Sequence, residues 1–364
     1  MQRKSVCVLL CLMLPLAACE RAPDANDADG RSDAGSLAAG AVDTDASTRT
    51  GGGGTSGAAH SGGRSSAAGK TAGSAAGGDG STPASGADFA TRCDAAGVLV
   101  CRGFDSATEL ESSNGSGAEP DDRGSMNHLT IDGTIKTSGA GSLRFEIAGK
   151  TSSNHSGAFR QPMGKAFGPG SSFYAQLRVR LSASFVDTDW DTVVGSYPKI
   201  VLFHHSSATC NDIEWAQVMN GWYDNIATMY THCGQAQPGQ SRGGMFFQEG
   251  DFTCPYGADY ARDPGCFKYP AEVWLTFYYK ATIGQWGRND SRLEAWVAMP
   301  GEGYKKWIDD PRYTLQAEGA SVAGFDSVYL TTYMTSKDES ADHATAYAWY
   351  DELIVSTMPI APPK

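Results

Sequence analysis

Four residues that can transfer protons stand near the ends of two short apolar segments: His204, His205, Tyr230 and His232. Histidine titrates near neutrality, and tyrosine can give or accept a proton when a cation lies nearby. Arg160 would supply positive charge to an anionic intermediate. Taken singly, each of these residues is more often a packing or surface residue. Together they predict a catalytic cluster made of His205, Tyr230, His204, His232 and Arg160.

The alternation of the first segment favours His205 over His204 as the base. Side chains of a strand point alternately to its two faces. Lys199, Val201, Phe203 and His205 are therefore expected to share one face. This arrangement places a cation and an imidazole side by side, and it predicts that Lys199 contacts the substrate.

The cysteines predict how the two segments meet. Six of them follow the N-terminal region: Cys93, Cys101, Cys210, Cys233, Cys254 and Cys266. An even number in an exported chain indicates three disulfides, for which fifteen pairings exist. We expect nearest neighbours to pair, so that Cys210–Cys233 joins the segments that carry the histidines. The cysteine and histidine spacings do not fit a zinc site. We predict no metal and no cofactor, with a structural calcium left open.

These residues must be positioned by β-strands, because apolar and polar residues alternate through most of the chain after Phe89. The predicted strands are Ser142–Ile147, Gly157–Met163, Phe173–Leu181, Lys199–His205, Ile213–Asn220, Ala227–Cys233, Val273–Gly284, Arg292–Met299, Ser327–Thr335 and Ala346–Ser356. Gly303–Asp309 is the one candidate for a short helix. So many strands in one disulfide-linked unit predict an all-β fold, an antiparallel two-sheet β-sandwich of the jelly-roll type.

The N-terminal part predicts export and a tether. Arg3 and Lys4 precede an apolar run that ends in Leu16-Ala-Ala-Cys19, a signal-peptide pattern. The last four residues match the bacterial lipobox, which implies cleavage before Cys19 and lipidation of its thiol; an ordinary secretory signal is the alternative. Residues 1–18 are therefore predicted to be a lipoprotein signal peptide, 19–88 a disordered Gly/Ala/Ser-rich linker and 89–364 the folded domain. The expected location is the outer membrane, facing the periplasm or the cell surface.

Composition limits the class of protein. None of the first 88 residues is Phe, Trp or Tyr, so a packed core can form only after them. The formal net charge of −12 weighs against nucleic-acid binding, which requires basic surface. No run reaches the roughly 18 apolar residues of a spanning helix, so a multi-pass membrane protein is excluded. We expect a monomer that touches the membrane only through its lipid anchor.

The order of the strand segments resembles a known superfamily. Gly141–Ile147, Trp274–Gly284 and Ala348–Ser356 follow one another as the segments do in the concanavalin A-like jelly roll. This superfamily includes bacterial polysaccharide lyases and laminarinase-type glycosidases. The resemblance implies a concave sheet that holds a glycan chain.

Shorter stretches resemble motifs of the enzymes with this fold. Tyr278–Gln285 and Gln217–Met219 are similar to two motifs of alginate lyases. They imply that Tyr278 and Gln217 contact the substrate. In the hydrolase branch, Cys210 stands where laminarinase-type enzymes carry their nucleophilic glutamate, which disfavours hydrolysis by that route.

The resemblance favours a polysaccharide lyase that cleaves a uronate-containing glycan by β-elimination. Sugar rings dock on aromatic faces, and acidic sugars pair with cations. Together with the residues already named, Trp222 and Arg178 are therefore predicted to bind the substrate. A non-catalytic, lectin-like lipoprotein is the main alternative, and a glycoside hydrolase is a lesser one.

Overall fold

The computed structural model describes residues 86–111, 117–119, 129–149, 157–190, 197–205, 213–230, 245–315, 319, 321–335, 337 and 343–364. The chain divides into two units, Met1–Ala76 and Gly77–Lys364, and every described residue belongs to the second. The predicted signal peptide, the lipidation site Cys19 and nearly all of the predicted linker lie outside the described residues.

The described residues form two antiparallel sheets, which we name sheet A and sheet B. Sheet A contains β1 (Val98–Arg102), β3 (Leu129–Asp132), β4 (Ser142–Ile147), β6 (Ser172–Leu181), β11 (Leu275–Thr282), β12 (Ser291–Ala298), β13 (Lys305–Tyr313) and β16 (Ala346–Ser356). Sheet B contains β2 (Gly117–Glu119), β5 (Ala158–Phe167), β7 (Tyr197–His204), β8 (Glu214–Asn220), β9 (Ile226–Tyr230), β10 (Met245–Phe246), β14 (Phe325–Thr331) and β15 (Met334–Thr335). The two helices of the described residues are single turns, α1 (Phe89–Cys93) and α2 (Ala183–Asp187).

Strand order places sequence-distant segments side by side. Sheet A runs β13-β12-β11-β6-β16-β4-β3, with β1 also paired to β16. Sheet B runs β10-β9-β8-β7-β14-β5-β2, with β15 also paired to β7. The strands β7, β8 and β9 are thus neighbours in the middle of sheet B, and β14 and β5 continue the sheet on the other side of β7.

The core lies between the sheets and is rich in aromatic rings. Phe173 of sheet A lies 5.4 Å from Phe203 and 5.8 Å from Phe325 of sheet B, measured between ring centroids. Tyr279 of sheet A lies 5.0 Å from the Phe203 ring. In β6 the residues at every second position from Phe173 to Leu181 point inward, as the sequence pattern predicts. This packing of two antiparallel sheets confirms the predicted β-sandwich.

All ten predicted strands are present, with shifted ends, and one predicted helix is wrong. Gly303–Asp309 is not helical, since strand β13 begins at Lys305. Its pairing with β12 skips a residue between Lys306 and Ile308. Trp307 is therefore an extra, bulged residue, and both Trp307 and Ile308 are buried. That irregularity hides the alternation by which a strand is identified.

Two of the three expected disulfides lie within the described residues and are confirmed. Cys93 pairs with Cys101 and Cys254 with Cys266, with Cα atoms 5.6 and 4.7 Å apart. The expected Cys210–Cys233 pair lies outside the described residues. Within the described part of the chain, no helix has the length and apolar character needed to cross a membrane.

Candidate functional site

The outer face of sheet B, which points away from sheet A, carries a row of side chains that crosses five strands. Backbone pairing aligns Arg160 with Tyr329, Tyr329 with Leu202, Leu202 with Ala216, and Ala216 with Tyr230. Neighbouring strands lie ~4.8 Å apart, so the Cα atoms at the two ends of the row are about 19 Å apart. We call this row the cross-strand row. Arg160 and Tyr230 stand at its ends, and the apolar Leu202 and Ala216 form its middle.

A β-bulge brings Lys199 onto this outer face. Lys199 pairs with Val218, but Val201 pairs with Gln217, so one step along β8 is matched by two residues of β7. Val201 and Phe203 point into the core. Without the bulge, Lys199 would point there as well. The prediction that Lys199 shares the face of Val201 and Phe203 is therefore wrong, because it assumed unbroken alternation.

The Lys199 amino group lies against two tyrosine rings. Its Nζ is 4.3 Å from the centroid of the Tyr333 ring and 6.0 Å from that of Tyr230. Burial lowers the pKa of Lys199 below its usual 10.5, while the nearby Glu214 carboxylate opposes this effect. At a given pH, a larger fraction of this amine is therefore uncharged than of a surface lysine.

The contact between Lys199 and Tyr230 passes over the strand between them. Lys199 belongs to β7 and Tyr230 to β9, and β8 lies between these two strands. Ala216 and Val218 of β8, the backbone partners of Tyr230 and Lys199, are fully buried although they lie outside the main core cluster. The site is thus an apolar floor covered by long polar side chains.

His204 lies next to the cross-strand row, on the same face. Its ring centroid is 4.2 Å from that of Tyr329, and its backbone pairs with Glu214. Burial lowers the pKa of His204, and the Arg160 charge acts in the same direction, while Asp326 opposes it. The imidazole is consequently uncharged near neutral pH and can accept or donate one hydrogen bond.

A chain of polar contacts joins Arg160 to His205. Arg160 Nη2 donates to Ser327 Oγ at 3.4 Å, and Ser327 Oγ donates to Asp326 Oδ1 at 2.8 Å. Asp326 Oδ2 lies 2.9 Å from His205 Nδ1. The Arg160 guanidinium also lies 5.9 Å from the Tyr329 ring centroid. Arg160 therefore extends from β5 over β14 toward the middle of the row, and the Ser327–Asp326–His205 contacts hold it there.

Four of the predicted site residues lie on the outer face of sheet B: Lys199, His204, Tyr230 and Arg160. His205 directly follows the end of strand β7. The predicted catalytic residue His232 lies outside the described residues. The side chain of Trp222 is also outside the description.

Three predicted substrate-binding residues lie elsewhere in the fold. Gln217 is 0% exposed and faces the core, where its Nε2 donates to Tyr269 Oη at 2.7 Å and its Oε1 accepts from Tyr279. A substrate cannot reach Gln217 there, so this prediction does not fit its position. Arg178 and Tyr278 lie on sheet A, on the face away from sheet B. They cannot contact a ligand bound beside Lys199.

Three residues of this site were missed by sequence reasoning. Tyr329 and Tyr333 contact His204 and Lys199, and Asp326 contacts His205. A signal for Tyr329 was available, because alternation around the apolar Val328 and Leu330 puts it on the opposite face. Tyr333 follows the end of β14, where alternation gives no guidance.

The described residues contain no group of three or more His, Cys, Asp or Glu side chains placed to hold a metal ion. The described side chains on the outer face of sheet B can be assessed for proton transfer. They comprise an amine with a lowered pKa, a phenol, an uncharged imidazole and a guanidinium. Such a set can take a proton at one atom, give one at another, and stabilise negative charge between them.

Comparisons with known proteins find likeness at the level of structure. No protein-family profile matches the sequence, and no curated protein matches it. Among solved structures, an alginate lyase from Aplysia kurodai is similar with a TM-score of 0.45 at 10% identity, covering 64% of this chain and 88% of that one. Alginate lyase Aly36B is similar with a TM-score of 0.40 at 12% identity, covering 72% and 97%.

A fungal enzyme is also among the similar structures. The endo-β-1,4-glucuronan lyase from Trichoderma reesei has a TM-score of 0.38 at 12% identity, covering 63% of this chain and 87% of that one. All three of these neighbours are named as lyases of alginate or glucuronan, and each is 10–12% identical to this chain.

Proposed function

We propose that the outer face of sheet B is the active site of a polysaccharide lyase that cleaves a uronate-containing glycan. The observation that supports this proposal is the position of Lys199, a half-buried amine with a lowered pKa, whose Nζ lies 6.0 Å from the centroid of the Tyr230 ring on the outer face of sheet B. A lysine of this kind is poised to accept a proton, whereas an ordinary surface lysine is not.

The reaction is a β-elimination. A base removes the proton on C5, next to the uronate carboxylate; the C5–H electron pair forms the C4–C5 double bond as the C4–O bond breaks. The leaving oxygen takes a proton, so that two chains result, one of which carries an unsaturated end. The negative charge that develops at C5 in the transition state is delocalised onto the carboxylate, which needs a cation or hydrogen-bond donors beside it.

The side chains divide these tasks by position. Lys199 in its neutral form takes the C5 proton, and Tyr230 gives a proton to the leaving oxygen. Arg160, held over β14 by Ser327, faces the carboxylate of a sugar that lies above Leu202 and Ala216. This proposal moves the base from His205 to Lys199, because the bulge turns Lys199 outward while His205 is engaged with Asp326.

The test is elimination on defined uronates, followed as the ultraviolet absorbance of the unsaturated product. Alginate and β-1,4-glucuronan serve as substrates, with neutral β-glucan as a blank. Lys199→Met and Tyr230→Phe should each lower kcat by on the order of 10²–10⁴, while binding of oligosaccharides weakens much less. Arg160→Ala should also lower kcat.

Matched control variants separate a chemical role from a general effect of substitution. Lys305→Met and Tyr174→Phe change the same residue types on the opposite sheet and should leave kcat unchanged. Binding of uronates without unsaturated product would overturn the enzymatic proposal and favour the glycan-binding alternative. New reducing ends without unsaturation would indicate a hydrolase instead.

We also propose that the protein is an exported lipoprotein anchored by Cys19, supported by Leu16-Ala-Ala-Cys19 after an apolar run. Two lipid signals or more are needed for stable anchoring, and a lipidated, acylated cysteine supplies them. Cys19→Ser should move the protein from the membrane fraction to the soluble exported fraction. Persistence of that variant in the membrane fraction would contradict lipid anchoring at this position.

A further inference from the structure

A cavity of about 350 Å³ lies on the opposite side of the sandwich, on the outer face of sheet A. Its lining includes Arg178, Trp274, Pro300, Tyr304, Pro363 and Lys364. The volume falls in the range of roughly 300–1,000 Å³ that is typical of small-molecule sites. None of these residues contributes to the outer face of sheet B.

Three segments build the cavity. Its floor comes from the pairing of Arg178 with Thr276 and of Thr276 with Ala298, across β6, β11 and β12. The link from β12 to β13 forms one wall, residues 299–304. The other wall is the segment 362–364, which is fixed by backbone hydrogen bonds between Ala87 and both Pro362 and Lys364.

The walls of the cavity suit a sugar ring. Trp274 is half-buried and lines the cavity together with Pro300 and Pro363. The C–H surface of a pyranose is apolar and packs on aromatic faces and on proline rings. Tyr304 adds a hydroxyl that is held in place, because its oxygen accepts a hydrogen bond of 2.8 Å from Gln176 Nε2.

Arg178 supplies a fixed positive group at the floor. Its Nε lies 2.7 Å from Glu352 Oε2, and the same carboxylate also forms an ion pair with the buried Arg92. Two guanidinium groups thus share one carboxylate, beside the buried Asp351. The Nη2 of Arg178 lies 3.5 Å from the backbone oxygen of Lys364, at the cavity wall. A guanidinium fixed in this way can pair with a carboxylate at low entropic cost.

From these contacts we infer a second glycan-binding site, which takes one uronate residue of a polysaccharide on Trp274 and pairs its carboxylate with Arg178. The choice of a uronate rests on the proposed function, whereas the cavity and its aromatic wall do not depend on it. The two sites lie on opposite faces of the sandwich. A polysaccharide chain bound to the outer face of sheet A would keep the protein on its substrate while the active site on the outer face of sheet B cleaves a glycan.

The experiment is calorimetric titration with alginate and glucuronan oligosaccharides, in the Tyr230→Phe background so that no ligand is cleaved. We expect two sites per chain. Trp274→Ala should weaken one of them by on the order of tenfold and leave the other unchanged. In the active protein, Trp274→Ala should raise KM for the polymer. It should leave kcat for short oligosaccharides unchanged.

A second variant guards against misfolding of Trp274→Ala. Gly303 lines the cavity, and a Cβ atom there would meet no atom within 4 Å, so Gly303→Tyr adds a ring at the cavity wall while every native side chain is retained. It should abolish the same site. Unchanged binding in both variants would overturn the second site. If the protein forms no unsaturated product but both variants lose a uronate site, the second site stands and the lyase proposal fails.

Discussion

Replacing Gln217 with methionine tests whether this residue stabilises the core or contacts substrate. Its side-chain amide joins two fully buried tyrosines, donating to Tyr269 and accepting from Tyr279. Methionine has a similar length but cannot form either hydrogen bond. Each buried polar group left without a partner costs about 1–3 kcal/mol, so Gln217→Met should destabilise the fold by about 2–6 kcal/mol.

Thermal unfolding measures this loss. For a chain of this size a change of 1 kcal/mol shifts Tm by roughly 2–4 °C, so we expect a fall of roughly 4–24 °C. The control combines Gln217→Met with Tyr269→Phe and Tyr279→Phe. Replacing all partners by apolar groups of similar shape is nearly neutral, so this triple variant should recover most of the lost stability.

Activity and binding complete the assay. At a temperature where Gln217→Met remains folded, binding of uronate oligosaccharides should equal that of the unchanged protein, because Gln217 faces away from both glycan sites. An unchanged Tm together with a large loss of oligosaccharide binding would refute this reasoning and restore Gln217 to the substrate site.

Two further predictions concern stability. Replacing Cys254 and Cys266 together by serine removes a disulfide that spans 12 residues. This change should lower the free energy of unfolding, measured by urea denaturation, by about 3 kcal/mol. A reductant should then lower the stability of this variant less than that of the unchanged protein. Burial raises the pKa of Asp351 from 3.8 to about 6, so the folded protein binds this proton more tightly than the unfolded chain, and stability from this group is gained as pH falls. From about pH 7 to about pH 4 the unchanged protein should gain about 2 kcal/mol in its free energy of unfolding relative to Asp351→Asn; equal pH profiles would contradict the shift.

Regular alternation made most of the fold predictable. Phe173–Leu181 reads as a strand because every second side chain is apolar, and these side chains do face sheet B. The bulge at Trp307 broke the same rule in β13, where two adjacent residues are buried. Such a bulge cannot be predicted from the local sequence, because it is defined by the register in which β13 pairs with β12.

The site was harder to predict because it depends on which strands become neighbours. Sequence identified Arg178 as a cation and Tyr278 through its likeness to a lyase motif, but it could not show that both of their strands belong to sheet A. Lys199 was identified as a cation near the histidines, yet its face was assigned wrongly. Motif likeness drew attention to Gln217, whose polarity is used inside the core.

The bulge in β7 has a consequence for how such a site can arise and be lost. One additional residue in a strand reverses the face to which every residue on one side of it points. The Lys199 side chain therefore lies on the outer face of sheet B, while Val201 and Phe203 keep their packing in the core. A structural sheet can therefore acquire a reactive group by a single-codon insertion, without any substitution in its interior. The reverse event, deletion of Ile200, would remove a buried core side chain and turn Lys199 toward the interior, so that the amine is lost from the outer face while Val201 and Phe203 keep their inward positions.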